Sequence, residues 1–271
     1  MSLNSIKKYL RKDMFPHIWC PGCGNGIIMA SLLRAIDTLS LDPDKVVIVS
    51  GIGCSGRISG YLNFNTVHTT HGRALAYATG IKLANPELIV IAAMGDGDGS
   101  AIGGNHLIHA ARRNIDITAL LFNNSIYGMT GGQFSPLTPF EKKASTASYG
   151  NVDHPFDLVS LVKSAGASFV ARTTTFHVLN LQKYIEKGIM KKGFSFIEAV
   201  TGCPTFYGRY NDLGEGLNMI KYQKENSVTY SKAQKMSDEE LEGKIVVGIF
   251  QDIDKPEYIS EYQKIIERVK S

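Results

Sequence analysis

The sequence predicts an α/β protein: a parallel sheet with helices on both faces and a C-terminal appendage. Three observations predict it. Five short runs rich in Val, Ile, Leu or Phe recur along the chain, as buried parallel strands do. Segments with helical apolar periodicity alternate with them, which argues for a sheet covered by helices. Residues 95–133 then read as an acidic Gly-rich turn, an amphipathic helix, a strand and a polar turn carrying NN and TGGQ.

Each element has its own signal. Strands are expected at 46–50 (VVIVS), 88–94 (LIVIAAM), 117–122 (ITALLF), 168–172 (SFVAR) and 195–200 (SFIEAV). Helices are expected at 24–39, 72–84, 103–113, 155–165 and 175–190. The loops at 125–154 and 201–235 are long, and long loops are usually functional or covered by a partner. From about residue 236 the chain carries a strand-like KIVVGIF and a final charged helix. Two units are therefore expected: a domain at 1–235, and a tail at 236–271 packing on that domain or on a partner.

Composition excludes several functions. A chain of 271 residues with 44% apolar residues can bury a full core. A net charge of +4 with scattered basic residues argues against nucleic acid. Lys7, Lys8, Arg11 and Lys12 form a basic patch, read first as a solvated helix face and second as a dock for an acidic electron carrier. The N-terminus lacks an apolar secretory core, and no apolar run approaches a membrane span, so a soluble cytoplasmic protein is expected.

Four cysteines occur: Cys20 and Cys23 as C-x-x-C, then Cys54 and Cys203. In a cytosolic protein this is no disulfide framework. Pro21, Gly22 and Gly24 supply a tight turn that lets two thiolates reach one metal. Cys54 and Cys203 follow expected strands, in GIGCSG and TGCPTF. Four thiolates suit a tetrahedral zinc or a 4Fe-4S cluster, and spacing alone leaves both open.

Two motif matches fail. Gly51, Gly53 and Gly56 give G-x-G-x-x-G after a strand, but the acidic residue expected about twenty positions on is missing. The loop also contains Cys54 and ends in Arg57, so a dinucleotide site is rejected. DGDGS at 96–100 begins like a calcium loop, yet Ala101 replaces the obligatory Gly and Leu107 the bidentate Glu.

What remains is a pair of turns at the carboxyl ends of neighbouring parallel strands, where open α/β sheets bind ligands. One offers Asp96 among glycines and the other Asn124. A hard divalent cation takes such oxygens and completes its shell from phosphates. A GDG followed about thirty residues later by NN is similar to the thiamine-diphosphate signature. With WCPGCGNG at 19–26 and GIGCSGR at 51–57, roughly residues 15–215 resemble the beta subunit of 2-oxoacid:ferredoxin oxidoreductases.

That resemblance implies a catalytic subunit for oxidative decarboxylation of a 2-oxo acid with coenzyme A. Electrons would leave through a 4Fe-4S cluster to ferredoxin or a ferredoxin-like subunit. It implies Cys20, Cys23, Cys54 and Cys203 as cluster ligands, and Asp96, Asn124 and the Ile126 carbonyl as Mg2+ ligands. It puts Ile52, Gly53, Cys54, Ser55, His71, Gly97, Asp98, Gly128 and Met129 against thiamine diphosphate. His71 and Arg57 are the candidate catalytic residues, with Arg57 free to pair with a distal substrate carboxylate or to serve structurally. No second doubly wound unit remains, so an alpha subunit must supply the pyrimidine-binding domain.

The run GCPTFYGRYN at 202–211 resembles the 2-oxoglutarate-type version, with Arg209 and Asn211 as structural markers. 2-Oxoglutarate is thus favoured over pyruvate or branched-chain oxo acids. A non-catalytic subunit with a four-cysteine zinc site is the rival reading. His106 and His109 read as surface or core residues, His68 as a minor substrate candidate, and Trp19 as packing over the cluster.

Overall fold

The computed structural model of the chain describes residues 3–270. Eight strands form one sheet in the order β2-β1-β3-β4-β6-β5-β8-β7. They are β1 Val46–Ser50, β2 Asn65–His68, β3 Ile89–Gly95, β4 Thr118–Asn123, β5 Phe169–Thr174, β6 Ser195–Val200, β7 Ser227–Thr229 and β8 Ile245–Asp252. β1 through β6 run parallel, in registers such as Ile48↔Ile91 and Leu120↔Ile197. The longer helices are α1 Asn25–Thr38, α2 Ala74–Ala84, α3 Gly104–Arg113, α4 Leu158–Ala165, α5 Val178–Met190, α6 Gly216–Asn226 and α7 Tyr258–Lys270.

Both sheet faces are buried, as the unbroken apolar runs require. Alternate strand residues Ile48, Ile91, Leu120, Ala171 and Ile197 meet Ile28, Leu32 and Ile36 of α1 and Leu181 and Ile185 of α5. Their neighbours Val47, Val90, Ala119, Leu121 and Phe196 meet Leu75 of α2, Leu107 of α3 and Val159 and Val162 of α4. Each such Leu or Ile contributes about 1.5–3 kcal/mol by burial, so the sheet centre is the rigid part of the molecule. The loops leaving β1, β3, β4 and β6 emerge together at its carboxyl edge.

The expected strands and helices form, with ends shifted by at most three residues. Three features differ. β2 was not expected because NTVH is short, polar and exposed at a sheet edge. α6 and β7 lie inside the expected loop at 201–235, because GLNMIKYQKEN buries only Gly216, Met219 and Gln223 and SVT only Val228. The sheet is also not wholly parallel: β8 runs antiparallel to β5 and parallel to β7. An antiparallel edge strand on an otherwise parallel sheet is a common arrangement.

The segment 236–271 thus reaches the sheet through β8. Glu257 then anchors α7 by accepting from the Ile259, Ser260 and Asp116 amides. The N-terminal basic residues do not share a helix face either. Lys7–Tyr9 and Lys12–Met14 are separate single turns, Lys8 pairs with Asp37, and Arg11 donates to Phe64 and Thr66. Among the described residues no helix is long and apolar enough to cross a membrane.

Candidate active site

Three strand-end loops converge on one cavity of about 380 Å³. The loop after β1 brings Ile52, Gly53, Cys54 and Ser55; the turn after β3 brings Asp96, Gly97 and Asp98. The turn after β4 brings Asn124, Ile126, Gly128 and Met129, and His71 closes one side. Every cofactor and Mg2+ residue expected from sequence therefore lines a single space. Ile52 and Met129 are 41% and 45% exposed, so the cavity has an apolar, open mouth.

Asp96 is the buried acid at its floor, 3% exposed. Burial pushes its carboxyl up to about 7, against hydrogen bonds from Ser135 and from the Gly97 and Ile126 backbone. Ser135 Oγ donates to Oδ2 at 2.7 Å. Among the described residues no Lys, Arg or His forms an ion pair with Asp96. A buried carboxylate without a counter-charge beside oxygen donors suits a divalent cation. The Asn124 side-chain oxygen faces the same turn, accepting from the Ile126 amide at 3.3 Å. Ser125 between them adopts a left-handed φ of 60°.

Asp98 does a different job. Its Oδ1 accepts from the Gly72 amide at 2.7 Å and the Ile52 amide at 3.3 Å, tying three loops together. His71 Nδ1 lies 2.9 Å from the same oxygen, off the hydrogen-bond direction. Burial raises the Asp98 carboxyl despite that neighbour. A Cβ on Gly51 would fall 1.7 Å from Asp98 Oδ2, so only glycine lets this carboxylate in. A Cβ on Gly97 would fall 2.2 Å from the Tyr127 ring, whose hydroxyl donates to the Gly97 carbonyl.

The four cysteines line a second, smaller cavity of about 50 Å³. Cys54, Asn25, Asn124 and Gly128 border both spaces and form their common wall. Backbone ties fix the cysteine loops. Trp19 Nε1 donates to the Cys54 carbonyl at 2.6 Å, and Thr201 Oγ1 to the Cys23 carbonyl at 2.6 Å. Burial and the neighbouring cysteines push the Cys54 thiol up to about 11. Thiolates there require a cationic group to accept them.

A lone zinc, with Zn–S near ~2.3 Å, would draw its thiolates within about 4 Å of one another. All four cysteines border this one small cavity. A Cβ on Gly128 would stand 3.4 Å from Cys203 Sγ and 3.8 Å from Cys54 Sγ, so glycine keeps that space open.

Several expected residues lie elsewhere. Arg57 does not line the cavity; it is half-buried, and its Nε has no hydrogen-bond partner. His68 is exposed at the end of β2, His106 contacts Arg73, and His109 keeps a buried Nδ1 without a partner. Arg209 stacks on the neighbouring Tyr210, and Asn211 bonds both backbone groups of Lys143 and so bridges two loops. Sequence reasoning did not single out Asn25, Tyr127 or Ser135. Asn25 opens α1 immediately after the C-x-x-C turn, which is the one positional hint to it.

Residues 51–199, more than half of the chain, match the family described as thiamine pyrophosphate enzyme, C-terminal TPP binding domain. The 2-oxoglutarate synthase subunit KorB of Methanocaldococcus jannaschii is 56% identical over 97% of this chain and 98% of its own length. The chain belongs to the KorB family. The 2-oxoacid:ferredoxin oxidoreductase subunit beta of Saccharolobus solfataricus is 46% identical over 72% of this KorB-family chain and 63% of its own length. A solved 2-oxoglutarate:ferredoxin oxidoreductase from Magnetococcus marinus, with 2-oxoglutarate, coenzyme A and succinyl-CoA bound, superposes with a TM-score of 0.87. It is 32% identical and covers 98% of this chain and 91% of that chain. KorB membership makes the chain a thiamine-diphosphate-binding beta subunit of a 2-oxoglutarate-type oxidoreductase.

Proposed function

We propose that this chain holds thiamine diphosphate and a 4Fe-4S cluster side by side and oxidises 2-oxoglutarate with coenzyme A to succinyl-CoA and carbon dioxide. The single observation that carries this reading is the wall shared by the two cavities, built from Cys54, Asn124 and Gly128. Thiamine supplies the carbon chemistry and the cluster accepts electrons. This chain's residues hold, orient and separate the two.

In this reading Asp96 and Asn124 side-chain oxygens and the Ile126 carbonyl hold Mg2+, with diphosphate oxygens completing the shell. Main-chain amides of the Gly53–Ser55 and Gly128–Met129 turns receive the diphosphate as an anion nest. His71, 36% exposed and beside Asp98, faces the substrate side of the cavity. Cys20, Cys23, Cys54 and Cys203 bind the cluster. Arg57, half-buried, outside the cavity lining but two residues beyond its Ser55 wall, and without an acid partner among the described residues, is assigned to the distal carboxylate of 2-oxoglutarate.

The open, apolar mouth at Ile52 and Met129 supports an alpha subunit completing the site. Residues 1–235 form the cofactor-holding unit and 236–271 a cover on it. Ferredoxin or a ferredoxin-like subunit takes the electrons, and the four free cysteines support a reducing, cytoplasmic setting.

The test is the anaerobically co-purified complex, assayed for iron, sulfide, thiamine and oxo-acid-dependent reduction of a low-potential dye. 2-Oxoglutarate with coenzyme A should outpace pyruvate by at least about tenfold, the span of one lost charge-assisted contact. Arg57→Ala should raise KM for 2-oxoglutarate and leave pyruvate turnover unchanged. Equal rates on both acids remove the substrate assignment, and zinc in place of iron removes the cluster.

A further inference from the structure

The two turns assigned to the cation are bridged by a pair of buried hydroxyls that the reaction itself does not use. Ser135 and Thr138 are 1% and 0% exposed. Ser135 Oγ donates to Asp96 Oδ2 at 2.7 Å and accepts from the Leu137 amide at 3.2 Å. The Ser135 amide donates to Thr138 Oγ1 at 2.8 Å, and Thr138 Oγ1 donates to the Ser125 carbonyl at 2.6 Å. Ser125 stands between Asn124 and Ile126. Both hydroxyls are thus saturated, and the acidic turn after β3 is locked to the asparagine turn after β4.

The clamp also occupies one lobe of the Asp96 carboxylate. The Ser135 bond to Oδ2 fixes the rotation of the carboxylate and so the face it turns to a cation. We infer that Ser135 and Thr138 are positioning residues that make Asp96 a one-oxygen ligand and so set the site's preference for Mg2+ over Ca2+. This rests on the assignment of Asp96, Asn124 and Ile126 as the cation ligands.

The reason lies in how the two ions coordinate. Mg2+ demands a near-ideal octahedron of single oxygens at about 2.0–2.1 Å, whereas Ca2+ takes six to eight oxygens at about 2.3–2.6 Å and readily accepts a carboxylate through both. Turning Asp96 to present both oxygens to one ion would bend its bond with Ser135 inside a dry site, where a weakened hydroxyl bond is costly. The Thr138 link adds a second restraint, because it fixes the Ser125 carbonyl and with it the spacing between Asp96 and its fellow ligands. A larger ion needs that spacing to open.

The experiment uses the complex stripped of divalent ions. Thiamine diphosphate binding is followed by quenching of protein fluorescence during Mg2+ and Ca2+ titrations, so no turnover is needed. Loss of an outer-shell partner typically costs 10–100-fold in metal affinity. Ser135→Ala should shift the ratio of the two apparent affinities toward Ca2+ by at least about tenfold. Thr138→Val should weaken both ions, and Thr138→Ser should restore them.

Should Ser135→Ala fail to assemble, Ser135→Cys keeps the shape with a weak donor and should shift the ratio the same way. An unchanged Mg2+/Ca2+ ratio in a serine variant with wild-type melting temperature overturns the clamp and leaves the ligand assignment standing. Divalent-independent thiamine binding by the wild type, or full binding by Asp96→Ala, overturns the ligand assignment and the clamp with it.

Discussion

Single atoms decide who may stand at this site. Gly51 exists for Asp98: a Cβ there would lie 1.7 Å from Oδ2, far inside contact distance. Gly51→Ala should therefore lower thiamine diphosphate affinity by at least about tenfold by displacing the Asp98 strut, in the manner of an outer-shell loss. Titration of the complex with the cofactor checks it. Gly128→Ala should put a methyl between Cys203 and Cys54 and lower the iron content per chain, with thiamine binding less affected.

The sequence brought Asp96, Asn124 and the four cysteines forward as candidates, and the fold gathers them around two adjoining cavities. The hydrogen bonds of Asp98 and Ser135 were not legible. An acid in a Gly-rich turn looks alike whether it holds a metal or a loop. Ser-Pro in a long loop has no periodicity to betray its partner 39 residues away.

Among elements, legibility followed burial. β1 and β6 are apolar on both faces and their ends match the sequence reading. β2, half exposed at the edge, and α6, with its mostly polar surface, gave no comparable signal. The direction of β8 was also hidden, because KIVVGIF suits a parallel or an antiparallel neighbour equally.

Elements are further tied by charge. Arg172 on β5 donates to Glu198 on β6 at 2.7 Å and to Asp157 before α4 at 2.5 Å, and Glu198 accepts from Asn123 at the end of β4. Burial opposes ionisation of Asp157, but the Arg172 charge and the hydrogen bonds from Ser160 and Arg172 together hold the carboxyl below its ordinary range. A depressed carboxyl contributes stability above its unfolded pKa and loses it as pH falls through the folded value. Asp157→Asn should therefore melt below wild type at neutral pH, with the difference vanishing in acid below about 4. Equal melting at neutral pH would show that exposure screens the pair completely. Away from charge, Leu32→Ala at the α1 contact with the sheet should cost about 2–5 kcal/mol in denaturant unfolding.

At the scale of the whole molecule, the sheet acts as a ruler. Parallel β1, β3, β4 and β6 deliver their loops to one edge, so residues as far apart in sequence as Cys23 and Thr201 become hydrogen-bonded neighbours. The GIGCSGR, GDG, NN and TGCPTF motifs could be placed because each follows a strand, whereas WCPGCGNG precedes the first strand and opens α1.

The central claim is that carbon chemistry and electron acceptance share the wall at Cys54, and one measurement addresses it most directly. The anaerobic complex is mixed with 2-oxoglutarate and coenzyme A while the visible iron–sulfur absorbance is followed in wild type and Cys54→Ser. Bleaching by substrate in the wild type, with its loss in Cys54→Ser alongside retained thiamine binding, is the expected result. A complex that turns over 2-oxoglutarate with no change in that band, or with zinc on the four thiols, would contradict it.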